Sequence, residues 1–419
     1  MKIEILCTGD EILTGKTINT NFSYMAQRLT ENALDITWGT VVGDDRESLS
    51  RAFLQAAERA DAVIVNGGLG PTVDDLSQEV AAASAGVELE CHENWLKRLH
   101  EYYDNRGRKM PQNNIKQAML PAGAEFIDNP IGTACGFAIN IKKARFFFTP
   151  GVPREMHRMI NEQVIPRLLT MSGTTVVTTL KRFHTFGIGE SRADQLLDGV
   201  INTDNLNGTV KLGFQTHYPQ LETKLSIQAP DKDTLNQLLE PISSELRKRL
   251  GNFILCEDAN TLESTVLDQL QQAGHSLSCA EMATGGAMAN RFMQSENSSV
   301  LKQCLVSPHI EGLCDTLGVP TSKDPITTDK AVALAKAQRK NSGSDYAIVV
   351  VTSITKEDTN DQLKICIGIA GPQNTWQRLA VLPGRKGWVR LGATELSIDC
   401  LRRVLFDLPV HEKIDFEKQ

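Results

Sequence analysis

Several familiar signals are missing from this chain of 419 residues, and each absence closes a class of protein. No apolar run approaches the ~18 residues of a membrane-spanning helix. The opening residues, Met1-Lys2-Ile3-Glu4-Ile5-Leu6, pass straight into a strand pattern without the apolar core of a secretory signal. A cytoplasmic protein with no membrane partner is therefore expected. The nine cysteines (7, 91, 135, 256, 279, 304, 314, 366 and 400) are scattered, odd in number and never spaced as Cys-x-x-Cys, which argues for reduced thiols rather than a disulfide framework. A basic excess is absent too. Forty-four Lys and Arg against fifty-one Asp and Glu leave a net charge of -7, so no general field draws nucleic acid and none is expected as a partner.

What is present is ordinary globular composition, 41% hydrophobic and 23% charged, in a chain too long for one core. Strand and helix signals alternate from the start: a strand from Ile3 to Cys7, a helix with apolar Phe22, Met25, Ala26 and Leu29, and a second strand from Ile36 to Val42. Next comes a helix that Asp44 is expected to open with Glu47 as a capping-box partner. A third strand, Ala62 to Val65, follows. This alternation predicts a parallel sheet covered by helices on both faces, with ligands beyond the carboxyl ends of its strands. The first domain is expected over residues 1–172. A β-α-β-β-α-β order over 173–256 predicts a small split βαβ module, and 257–419 reads as a second α/β domain.

The most informative stretch is Asn66-Gly67-Gly68-Leu69-Gly70-Pro71-Thr72-Val73-Asp74-Asp75, directly after the third strand. Glycines let backbone amides approach an anion, and Pro71 to Asp75 is expected to open the helix that continues through Leu76-Ser77-Gln78. The loop lacks the Gly-x-Gly-x-x-Gly spacing of a dinucleotide fingerprint, which disfavours a dehydrogenase. Asp10 and Glu11 follow the first strand and are expected at the same sheet edge as Asp74 and Asp75. Four carboxylates beside a phosphate cradle repel a polyphosphate unless a divalent cation lies between them. The plainer reading makes the same carboxylates helix caps. Arg106, Arg108, Lys109 and Lys116 offer complementary charge, and Asn113, Asn114 and Gln117 offer amides for a sugar or base.

Together with Asn19-Thr20-Asn21, Val42-Gly43-Asp44-Asp45, Gly132-Thr133-Ala134 and Pro150-Gly151-Val152-Pro153-Arg154-Glu155-Met156, these motifs resemble the competence/damage-inducible CinA family. The resemblance implies a three-layer α/β/α molybdopterin-binding-like first domain and a metal-dependent ADP-ribose pyrophosphatase, with Mg, Mn or Co as the cation. Gly67, Gly68, Gly70 and Thr72 would then hold phosphate. Asn21, Asn113, Lys116 and Glu155 join them as substrate-binding candidates, and Asp10, Glu11, Asp74 and Asp75 are the catalytic ones. Asp10, Asp74 and Asp75 are the expected metal ligands. A homodimer acting on a small nucleotide is expected.

The family's third domain is similar to nicotinamide mononucleotide deamidase, whose signature is Glu-Ser-Cys-Thr-Gly-Gly. Here the residues are Glu281-Met282-Ala283-Thr284-Gly285-Gly286, with methionine at the nucleophilic serine. Leu313 stands at the lysine position, and Thr352-Ser353-Ile354-Thr355-Lys356-Glu357 replaces a Thr-Gly-Ile-Ala-Gly-Pro loop. A degenerate deamidase is expected. Two other readings stay open: a non-catalytic nucleotide or molybdopterin-type binder with a regulatory or oligomerising third domain, and a working deamidase.

Overall fold

The computed structural model describes residues 1–173, 176–201, 208–282, 284–321, 326–357, 360–384 and 386–418, and divides into two compact units. Unit 1 comprises Met1–Thr179 with Gln228–Leu235, and unit 2 comprises Leu180–Ile227 with Asn236–Gln419. Ala283 of the deamidase-like signature and Thr174 lie outside the described residues.

Unit 1 begins β1 (Ile3–Thr8), α1 (Asp10–Leu13), α2 (Thr20–Glu31), β2 (Ile36–Val42), α3 (Arg46–Arg59), β3 (Ala62–Asn66) and α4 (Ser77–Ala85). It continues with β4 (Leu89–Cys91), α5 (Glu93–Asp104), β5 (Met119–Pro121), β6 (Glu125–Ile127), β7 (Gly136–Ile141), β8 (Ala144–Thr149), α6 (Pro153–Met159) and α7 (Ile165–Ser172). Its main sheet has the order β2-β1-β3-β8-β7-β6. Strands β2, β1, β3 and β8 are parallel, whereas β7 and β6 run antiparallel. The sheet is thus mixed: parallel through the strand-helix units, as their alternation predicts, and antiparallel in β7 and β6. A tight connection, Ile141 opposite Ala144, joins β7 to β8, and two strands linked that closely can only lie antiparallel.

Alternate residues of these strands serve two cores. Val63, Val65, Phe146 and Phe148 pack with Leu49, Phe53 and Ala56 of α3, Val80 of α4 and Trp95 of α5. Ile3, Ile5, Ile64 and Phe147 point to the other face, against Met25 and Leu29 of α2, Met156 and Met159 of α6, and Leu168 of α7. The period of two along each strand produces the three-layer α/β/α arrangement. Register then sets where the loops emerge. Thr8 is level with Val42, Cys7 with Asn66, and Asn66 with Thr149, so the carboxyl ends of β1, β2, β3 and β8 share one edge.

Unit 2 carries most of β9 (Val177–Phe186) and β11 (Gln220–Ala229), with α8 (Glu190–Leu197), β10 (Thr209–His217), most of α9 (Lys232–Leu250) and β12 (Ile254–Glu257). Their sheet order is β10-β11-β9-β12. Next come α10 (Leu262–Gln272), β13 (Leu277–Met282), α11 (Ala287–Gln294), β14 (Leu301–Ser307), α12 (Ile310–Leu317), α13 (Thr328–Ser342), β15 (Tyr346–Glu357), β16 (Asn360–Ala370), β17 (Thr375–Pro383) and α14 (Lys386–Leu405). They build a second sheet of order β14-β13-β15-β16-β17, in which β13 is parallel to both neighbours. The edge strand β14 is not among the strands expected from the sequence. Its Lys302, Gln303 and Val306 are exposed, which blurs the apolar alternation that marks buried strands.

Candidate functional site

Four loops meet at the shared strand edge of unit 1 and enclose a cleft of about 420 Å³. Thr8 ends β1 and Gly9, Glu11 and Ile12 follow it, Asp44 follows β2, the Gly67 to Asp75 loop follows β3, and Pro150 to Glu155 follow β8. Gln117, Thr133 and Ala134 close the far wall.

The glycine loop is built for close approach. Gly68 adopts a φ of +68°, and a Cβ there would lie 2.3 Å from Ser77 Oγ. At Gly70 a Cβ would lie 2.4 Å from Asp75 Oδ2. Ser77 fastens the loop by donating its amide to Gly68 O (3.1 Å) and its hydroxyl to Gly67 O (2.9 Å). The amide of Gly67 donates to Thr149 O at 3.0 Å, so it belongs to the scaffold. Among the described residues, the amides of Gly68, Leu69 and Gly70 have no protein acceptor. Free donors on successive residues suit an anion.

Beneath the loop lies a fixed polar floor. Asn21 Nδ2 donates to Asn66 Oδ1 (2.9 Å) and to Gly151 O (2.7 Å), while Asn66 Nδ2 donates to Pro150 O (2.6 Å). This network orients Asn21 and leaves its buried Oδ1 without a hydrogen-bond partner, as is Thr8 Oγ1. Two orphaned acceptors in one cleft carry a desolvation cost that a ligand's hydroxyl or amine donors would relieve.

The carboxylates divide into distinct groups. Glu11, Asp44, Asp74, Asp75 and Glu155 all line the cleft. Asp10 instead forms a reciprocal bridge with Asp44: the Asp10 amide donates to Asp44 Oδ2 (3.0 Å) and the Asp44 amide to Asp10 Oδ1 (3.2 Å). Asp44 therefore does not cap α3, as its spacing had suggested; Asp45 does, accepting from the Ser48 amide at 2.9 Å. Asp75 folds back to accept the Thr72 amide (2.8 Å) and hydroxyl (2.6 Å). The expected helix over Pro71 to Leu76 is a turn. α4 starts at Ser77, so Asp74 and Asp75 precede its first turn rather than stabilising it. Glu155 accepts from Asn129 Nδ2 at 2.7 Å, which fixes it across the cleft.

Electrostatics separates two of these acids. Burial, and then the charges of Asp10, Glu11 and Asp74, push the Asp44 carboxyl above the usual carboxylate range. Hydrogen bonding from Thr72, helped by the Lys116 charge, holds Asp74 below it. The two basic-segment candidates serve the loop rather than the cavity. Lys116 Nζ donates to Thr72 O (3.0 Å) and pairs with Glu79 (3.4 Å), and Asn113 Nδ2 donates to Pro71 O (3.4 Å). From that segment it is Gln117 that reaches the cleft wall, held by Asn114 Nδ2 at 2.8 Å. Among the described residues, no group of three or more His, Cys, Asp or Glu is arranged to hold a metal ion.

Thr8 and Asn66 belong to the site although neither is among the residues expected there, and Asp44 lines the cleft rather than opening α3. The available signal was position, since Gly43-Asp44 ends β2 just as Gly9-Asp10 ends β1.

In unit 2 the corresponding turn after β13 is occupied differently. The buried Glu281 carboxylate accepts the amides of Met288 (3.2 Å) and Ala289 (2.9 Å), capping α11. Met282 and Leu313 are both buried in one apolar cluster with Ala280, Cys314, Leu317 and Leu334.

These features define a multidomain α/β protein whose first unit carries a ligand cleft beyond the ends of parallel strands. Residues 4–170 match the family described as probable molybdopterin binding domain, 180–255 the damage-inducible protein CinA KH domain, and 259–405 the CinA C-terminal domain. A CinA-like protein of Shewanella loihica is 35% identical, over 98% of this chain and 97% of its own. Another, of Shewanella sediminis, is 36% identical over 97% and 96%. A crystal structure of a CinA protein of unknown function from Thermoplasma acidophilum, 34% identical, covers 39% of this chain and 97% of that one, with a TM-score of 0.37. The chain belongs to the CinA family. No described helix is long and apolar enough to cross a membrane.

Proposed function

We propose that the N-terminal cleft binds an ADP-ribose-like nucleotide and hydrolyses its pyrophosphate to AMP and ribose 5-phosphate with the help of a divalent cation. One juxtaposition carries this reading: unpartnered amides at Gly68 to Gly70 and orphaned acceptors on Thr8 and Asn21 share a cleft with Glu11, Asp44 and Asp74. The amides suit phosphate oxygens, and the acceptors suit ribose hydroxyls.

The donor set fits a hard cation held by one or two carboxylates together with phosphate oxygens, not an all-protein cage. Glu11 and Asp44 would hold it, and it would neutralise phosphate charge and polarise the phosphoryl group. Asp74, kept ionised, positions a water and takes its proton as the water attacks one phosphorus, while the bridging P–O bond breaks and the other phosphate departs on the second product. Asp10 positions Asp44, and Asp75 with Lys116 keeps the loop in shape.

The C-terminal domain, on this reading, has lost its deamidase chemistry. A thioether cannot attack a carbonyl, and both altered positions now contribute to the core. The absence of a preassembled carboxylate trio among the described residues favours one rival, a binder without turnover. Incubating the full chain with ADP-ribose and Mg, Mn or Co separates the two. AMP release supports hydrolysis, whereas calorimetric binding without product selects the binder.

A further inference from the structure

The C-terminal sheet contains two thiols that none of this chemistry uses. Cys279 on β13 and Cys304 on the edge strand β14 are register partners in a parallel pair. Both face the layer that contains α10, α11 and α14, Cys279 fully buried and Cys304 half-buried. Neighbouring strands lie about 4.8 Å apart, inside the roughly 4.4–6.8 Å between Cα atoms that a disulfide spans. Cysteines on the other strand pairs have different neighbours: Cys7 lies opposite Val41 and Asn66, Cys91 opposite Met119, Cys256 opposite His184, and Cys366 opposite Val351 and Leu379.

The two thiols also differ in their surroundings. Hydrogen bonding from Cys279 lowers the Cys304 thiol below its ordinary value, while the same bond and burial raise Cys279. The thiolate is the reactive form, so the half-exposed Cys304 is the attacking sulfur and Cys279 the resolving one.

We propose that Cys279 and Cys304 form a reversible two-electron redox site, oxidised by a peroxide to a cross-strand disulfide. The Cys304 thiolate attacks one peroxide oxygen, forming an S–O bond as the O–O bond breaks. Hydroxide leaves and takes up the proton Cys304 had released, giving water. The Cys279 sulfur then attacks the sulfenic sulfur. An S–S bond forms, the S–O bond breaks, and the departing hydroxide leaves with the Cys279 proton as a second water. Two electrons pass from the thiols to the peroxide, and a small dithiol reverses the change by exchange. The bond would pin β14 to β13 two residues before Glu281, whose carboxylate holds the start of α11.

The test is titration of the reduced full chain with hydrogen peroxide, followed by non-reducing proteolysis and mass spectrometry. The expected result is a linked peptide pair containing Cys279 and Cys304, with the denatured thiol count falling from nine to two fewer and restored by dithiothreitol. The wild-type chain decides the matter, and Cys304→Ser, at a half-exposed edge position, should abolish the linked pair. Thiol loss without that pair, over-oxidation of Cys304 alone, or no thiol loss would each overturn the proposal.

Discussion

The loop after β3 and the loop after β13 use the same backbone device for different ends. Each leaves the carboxyl end of a parallel strand, turns on a pair of glycines and leads into a helix. After β3 the acidic side chains stay in the cleft, Asp44 raised by its neighbours and Asp74 lowered, with two polar oxygens left for a ligand. After β13 the carboxylate of Glu281 is consumed by the helix start, and Met282 and Leu313 have joined the core. A strand-turn-helix corner thus supplies a place for chemistry without supplying the chemistry. Whether side chains face the cleft or the core decides that.

Breaking the first loop should have the largest effect. Asp74→Asn is expected to lower kcat/KM for AMP release by about 10²–10⁴-fold, with little change in thermal midpoint because the side chain is exposed. Steady-state kinetics alongside a melting curve check both halves. Met282→Ser addresses the second loop. It trims a buried side chain from the apolar cluster and should cost about 2–5 kcal/mol in urea unfolding, without ammonia release from nicotinamide mononucleotide. Recovery of deamidation by this single change would erase the contrast.

Smaller effects sharpen the comparison. Gly68→Ala forces a left-handed φ on a residue with a Cβ and collides with Ser77, so a loss of about 1–3 kcal/mol is expected, with weaker nucleotide binding by calorimetry. The smallest effect concerns pH. His157, on α6, stacks on Tyr24 with ring centroids 3.5 Å apart, and burial holds it below the ordinary histidine value. The unfolded chain then binds this proton more readily than the folded one. The stability His157 contributes is complete above a pH of about 6.5 and is lost as pH falls toward its lowered folded value. His157→Gln should flatten that slope in denaturant midpoints, which separates acid unfolding from acid loss of chemistry.

Much of this was legible in the sequence because local pattern and tertiary role agreed. The apolar runs of β1 and β3 and the helical spacing of Met25 and Leu29 became core on the faces expected. The glycine loop fell in a cleft because strand register dictates where such loops emerge. What failed were decisions between adjacent or competing partners. Asp44 and Asp45 are both competent caps, and only the approach of Asp10 across β1 and β2 assigns them. Lys116 and Asn113 looked free to reach a ligand, but the short 3-10 turn that carries them directs both to the carbonyls of Pro71 and Thr72. The edge strand β6 was hidden because its three residues, Glu125–Ile127, are too few to show an apolar alternation.

The most direct test offers one preparation of the full chain both substrates in parallel, ADP-ribose with a divalent cation and nicotinamide mononucleotide, and measures AMP and ammonia. The account predicts AMP that disappears on chelation, and no ammonia. Ammonia without AMP would contradict it.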